Sequence, residues 1–108
     1  MIAILLAFLL QAGVQPGVQP VDCPAGAGSR TPGMSVGANG SVWLSWTVRA
    51  EGGHALRASR LEQQSWGPVR EAARGKGWFV NWADTPGLAV GEGDALAAYW
   101  LAKAGEGS

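Results

Sequence analysis

The sequence predicts an all-β chain assembled from a repeated sheet module, and three observations carry that expectation. Thr31-Pro32-Gly33-Met34-Ser35-Val36-Gly37 returns as Thr85-Pro86-Gly87-Leu88-Ala89-Val90-Gly91, and Trp46 returns as Trp100, at one shared offset of 54 residues (31 to 85, 46 to 100). A fixed period of about 50 residues marks stacked units, none of which can bury its apolar face alone. From Met34 to Lys103 the apolar residues alternate with period two, and no stretch carries helical periodicity. Seventeen Gly and six Pro punctuate the chain at short intervals, as tight turns between strands require.

Met1 to Leu10 reads MIAILLAFLL. That run is too short to span a bilayer as a helix and about right for the apolar core of an export signal. The sequence therefore predicts a signal-like helix over residues 1–20, no stable membrane span and a secreted or periplasmic protein. Residues 21–30, with the Gln-, Pro- and Gly-rich stretch before them, read as a flexible linker. Cys23 is the only cysteine, so no disulfide forms within the chain. Lys and Arg together number eight, and so do Asp and Glu. That balance gives no electrostatic reason for nucleic acid to be a partner.

The first short strand is Met34-Ser35-Val36. Asn39-Gly40 then sits between two apolar runs, a hairpin signal because both residues tolerate positive φ. In the next strand Val42, Leu44, Trp46 and Val48 share one face, with Trp43, Ser45, Thr47 and Arg49 on the other. Glu51-Gly52-Gly53 turns the chain, and residues 54–61 alternate as a third strand. Gln63-Gln64-Ser65 turns it again into a fourth, 66–73, which Pro68 assigns to a sheet edge. Trp78 to Asp84 crosses to the next unit. Leu88 to Val90 matches the first strand and Ala95 to Lys103 the second, with Gly91-Glu92-Gly93-Asp94 as the turn.

Four-stranded meanders repeating at this spacing are blades of a β-propeller. The expected architecture over 31–108 is one complete four-stranded antiparallel blade, about 31–80, followed by the first hairpin of a second, 81–108. A six-stranded sandwich is the structural rival, but it would not need the same Thr-Pro-Gly start and closing Trp twice.

Between the third and fourth strands stands Ser59-Arg60-Leu61-Glu62-Gln63-Gln64-Ser65-Trp66. It resembles the Asp box, Ser-x-Asp-x-Gly-x-Thr-Trp, of sialidase-like propellers built from bacterial neuraminidase repeats. Ser59, Ser65 and Trp66 keep the spacing, whereas Leu61 and Gln63 replace the Asp and Gly. Trp78 to Pro86 is also similar to a segment of secreted sialidase-like proteins. The resemblance implies an N-terminal fragment of an exported propeller that recognises glycans or hydrolyses glycosides. In that family arginines hold the sugar carboxylate, because a planar guanidinium suits bidentate recognition. Arg30-Thr31-Pro32 occupies the place of the family's Arg-Ile-Pro. The Tyr and Glu that perform the chemistry come from later blades, so no catalytic residue is assigned here. The alternative is a non-catalytic propeller module that binds glycans or proteins.

Arg30 and Asp84 are equivalent by the repeat (30 to 84), each just before an innermost strand. Together with Asn81 and Trp82 they are the candidate ligand-binding residues at the mouth of a central channel. The plain alternative is a solvated arginine and an Asp that caps the turn before Thr85-Pro86. Trp46, Trp66 and Trp100 read as blade core, and Trp78 and Trp82 as crossing residues that could touch ligand. Tyr99 reads as a packing residue, and His54 as a surface histidine with no second ligand to make a metal site. No cofactor is called for. The expected partners are a glycan ligand and either the remaining blades of a parent protein or further copies that cover the open blade faces.

Overall fold

The computed structural model describes residues 17–104. Most of the expected export signal and its helix (1–16), together with residues 105–108, lie outside the described residues. Residues 17–29 run as turn and coil, mostly exposed, and Arg30 already belongs to the first strand. The described chain is antiparallel β-sheet, and its one helical feature is a 3₁₀ turn at Glu92–Asp94. Among the described residues no helix is long and apolar enough to cross a membrane.

Five strands form the larger sheet: β1 (Arg30–Val36), β2 (Val42–Ala50), β3 (Gly53–Glu62), β4 (Ser65–Trp66) and β5 (Arg70–Gly75). They make a meander in which β4 and β5 both pair with β3. The expected single fourth strand over 66–73 is thus two pieces. Pro68 explains the break, since it has no N–H to offer the ladder. The detour is anchored. Gly67 donates its backbone N–H to Arg60 O at 2.8 Å, and the buried Ser59 hydroxyl donates to Gly67 O at 2.7 Å. The Ser59–Trp66 segment therefore spans the β3–β4 hairpin, where the box resemblance located it.

Two turns show how local chemistry sets the register. Glu51 and Gly52 both adopt left-handed φ (45° and 78°), and Ala50 faces Gly53 across the two-residue loop. That is the primed turn whose twist suits a hairpin. Asn39-Gly40 behaves differently, because only Gly40 has positive φ (84°). Val36 pairs with Val42, which leaves residues 37–41 in the loop. Asn39 then accepts the Ser41 N–H on Oδ1 (3.1 Å), and Gly37 N–H donates to Ser41 O (2.8 Å).

The smaller sheet is one hairpin, β6 (Gly87–Val90) and β7 (Leu96–Tyr99). Its register copies the first hairpin pair for pair. Val36↔Val42 becomes Val90↔Leu96, Met34↔Leu44 becomes Leu88↔Ala98, and Gly33↔Ser45 becomes Gly87↔Tyr99. The sequence repeat is therefore a structural repeat.

The two sheets pack face to face. Trp43, Leu56, Ala58, Trp78 and Leu88 form the buried cluster, with Val80, Val90, Leu96 and Ala98 against it. On the larger sheet the covered face is that of Trp43, Ser45 and Thr47, all buried. Ser35 carries its hydroxyl across to donate to Leu88 O at 2.5 Å. Trp78, expected as a ligand candidate, is instead core, stacked between His54 (6.4 Å between centroids) and Trp100 (4.8 Å). Trp46 is buried on the opposite face of β2, while Trp66 is half-buried and Trp100 partly exposed.

Candidate functional site

The repeat places two shallow depressions at corresponding positions. One is lined by Cys23, Arg30, Pro32, Leu44 and Trp46, the other by Asp84, Thr85, Tyr99, Trp100 and Leu101. Arg30 and Asp84 thus each stand beside the tryptophan of their own repeat. The structure does not bring them into one depression.

Arg30 sits on a bulge. Arg30 faces Thr47 but Gly33 faces Ser45, so β1 spends one residue more than β2 over this stretch. Thr31 absorbs it at φ 50°, a conformation costly for a β-branched side chain. Its hydroxyl lies 2.8 Å from that of Thr47, and the Thr47 hydroxyl donates to Arg30 O at 3.2 Å. Bulges of this kind re-aim a side chain. Here the affected side chain is Arg30, which is left exposed.

Asn81 and Asp84 build a closed turn. Asn81 Oδ1 accepts the N–H groups of Ala83 (2.9 Å) and Asp84 (3.0 Å), and Asn81 Nδ2 donates to Asp84 Oδ2 (3.0 Å). The backbone closes it further, with Asn81 N–H donating to Asp84 O at 3.1 Å. Both side chains are therefore committed to the turn, as an Asx motif commits them. Within that turn stands Trp82, 94% exposed. Tyr99, expected as a packing residue, lies over Gly87, where any added Cβ would collide with its ring, and keeps its other side in solvent.

Sequence reasoning missed a polar joint between the sheets. Asp94, in the second hairpin's turn, meets Arg60 of β3 with Oδ2 3.2 Å from Nε. The sequence marks Asp94 only as part of a hairpin turn, because a contact spanning so many residues leaves no local periodic trace. The Ser41 hydroxyl, opposed in part by burial and supported by the Arg60 charge, holds the Asp94 carboxyl below its ordinary range. Asn39 and the Trp43 indole contribute less. The approach is electrostatic rather than well aligned, for Ser41 Oγ, Trp43 Nε1 and Asp94 Oδ1 make no well-formed hydrogen bond.

A pH dependence follows. A carboxyl whose folded pKa is depressed binds its proton more readily in the unfolded chain, so folding is favoured above the unfolded value of about 4 and loses that contribution as pH falls below it. Glu71, lowered chiefly by its bond with Arg74, acts in the same direction. Urea midpoints are expected to be level from neutrality down to about pH 5 and to fall below it. Asp94→Asn should flatten that fall, and an unchanged acid limb in the variant would remove Asp94 from the account.

Among the described residues no group of three His, Cys, Asp or Glu side chains is gathered as a metal site. No family model, no curated protein and no solved structure matches the chain.

Proposed function

We propose that this chain is a sialidase-like propeller module that recognises glycans, within an exported protein. The observation that carries the glycan reading is Trp82. A side chain so exposed leaves a large apolar ring in water, and a hydrogen-bonded turn holds the backbone beneath it in place. A rigid aromatic platform suits the apolar face of a sugar ring and costs little entropy on binding. The neighbouring depression, where Tyr99 and Trp100 line the wall, extends the aromatic surface beside it. The propeller reading is supported by the repeated hairpin register, the meander and the Ser59–Trp66 segment at the β3–β4 turn. The apolar run MIAILLAFLL supports export. Binding rather than hydrolysis is favoured because Asn81 and Asp84 spend their polar groups on the turn itself.

The test is a glycan-array screen of the folded chain, followed by titration of each positive with wild type and Trp82→Ala. Wild type is expected to bind, and the variant to lose at least about tenfold in affinity, equivalent to about 1.4 kcal/mol. Its fold should be unchanged, since the lost side chain touches little. Equal binding by both proteins, or no glycan bound by wild type, overturns the reading.

A further inference from the structure

We propose that the first sheet carries a receptor for a carboxylate, that the chain's own Asp94 occupies it, and that a small carboxylate ligand replaces Asp94 there when the Glu92–Asp94 turn lifts. The inference does not rest on the glycan reading.

The donors all belong to the first repeat. The Ser41 hydroxyl, the Trp43 indole Nε1 and Arg60 Nε are buried and make no well-formed hydrogen bond. Each such group bears the cost of leaving water without a partner to offset it. Trp43 and Arg60 also line a cavity of about 160 Å³, together with Glu62, Pro68, Arg70 and Asp94. Arg70 holds its guanidinium 5.7 Å from the centroid of the Trp43 ring and makes no ion pair among the described residues. Two guanidinium groups, an indole N–H and a hydroxyl converging here are the donor set of an anion site.

The occupant comes from the second repeat. Asp94 sets Oδ2 3.2 Å from Arg60 Nε, and its Oδ1 has no partner. A carboxylate tethered to its own turn cannot align with every donor, whereas a free one can rotate to meet them. The turn is lightly held. None of its residues is buried, and Gly93 and Asp94 both adopt left-handed φ (61° each). The hairpin is docked instead by Leu88, Val90, Leu96 and Ala98, so the turn can swing away while the hairpin stays in place. Charge selects the ligand. With Asp94 away, two arginines against Glu62 leave the cavity with one net positive charge, which suits a singly charged carboxylate better than a phosphate dianion. A ligand of that kind competes with the turn, so its binding and the turn's release are coupled.

Asp94→Gly empties the receptor without straining the turn. Glycine accepts the positive φ, and Gly40 already stands at the equivalent repeat position (40 to 94) with φ 84°. The test follows the Trp43 indole N–H by two-dimensional proton–nitrogen NMR as sodium acetate is added at constant ionic strength, with sodium chloride as the control. Trp43→Phe identifies the signal among the six tryptophans. In Asp94→Gly the signal is expected to shift saturably with acetate. Wild type should need at least about tenfold more, because its tethered carboxylate competes at high effective concentration. Asp94→Asn, which keeps the side chain's size, should also take acetate more readily than wild type, and it carries the test if the glycine variant does not fold. Adding Arg60→Gln to either variant should abolish the shift. The proposal is overturned if neither Asp94 variant shows a saturable shift, if chloride acts as strongly as acetate, or if wild type and the variants bind acetate equally.

Discussion

Trp43→Ala is expected to cost about 3–5 kcal/mol, the range for emptying an aromatic site in a core. Trp43 is 2% exposed and belongs to the one buried cluster that joins the two sheets. It sits on β2 between Ser35 of β1 and Arg60 of β3, so its ring also fills the layer that Leu88 covers. Above it the Arg70 guanidinium lies 5.7 Å from the ring centroid, tying the broken edge strand to the same side chain. A small domain has about 5–15 kcal/mol of total stability, so this single loss removes a large part of it. Trp43→Phe should cost less, because the indole Nε1 has no well-formed partner to lose. Equilibrium urea unfolding followed by tryptophan fluorescence measures both. A loss under about 1 kcal/mol for the alanine variant would show that the sheets are held elsewhere.

Much of this architecture was legible because the repeat is carried by backbone-determining residues. The Thr-Pro-Gly start and the paired apolar positions dictate where each hairpin begins and which residues face each other, and the register follows with Val36↔Val42 and Val90↔Leu96. Pro68 announced an edge for a reason any ladder must obey. What stayed hidden was which face of β2 is covered. Alternation separates Trp43 from Trp46, but it cannot say which of them meets the second sheet, and both prove buried. Trp78 looked free for ligand because it lies in a crossing segment. The crossing in fact runs beside the end of the second hairpin, where Trp78 bridges Ala102 and its ring is caught between His54 and Trp100.

The candidate site was legible in its parts and not in its arrangement. Arg30 and Asp84 do occupy equivalent positions, each beside a repeat tryptophan. Equivalence under translation does not bring two residues together, however, and each keeps its own depression. The strained Thr31 bulge that re-aims Arg30 had no sequence signal, since a β-branched residue argues against positive φ. The Asn81–Asp84 turn had one, the Asn and Asp spacing that closes Asx motifs, and the hydrogen bonds of both side chains hold the turn from which Trp82 projects.

Leu88→Ala and Met34→Ala are expected to differ by most of the value of a buried leucine, although the repeat makes the two positions equivalent. Leu88 is 3% exposed and packs on the Trp43 face, so its truncation should cost about 2–5 kcal/mol. Met34 occupies the same register place, opposite Leu44 as Leu88 is opposite Ala98, yet it stands mostly in solvent. Its truncation should change the stability of the monomer by no more than about 0.5 kcal/mol. The contrast isolates packing between sheets from hairpin register, which is common to both sites. Dilute samples are needed, because any contact between copies that covers Met34 would give its side chain a share of the stability that depends on concentration. Equal losses at the two positions under dilute conditions would mean that the second hairpin does not lie on the Trp43 face in solution.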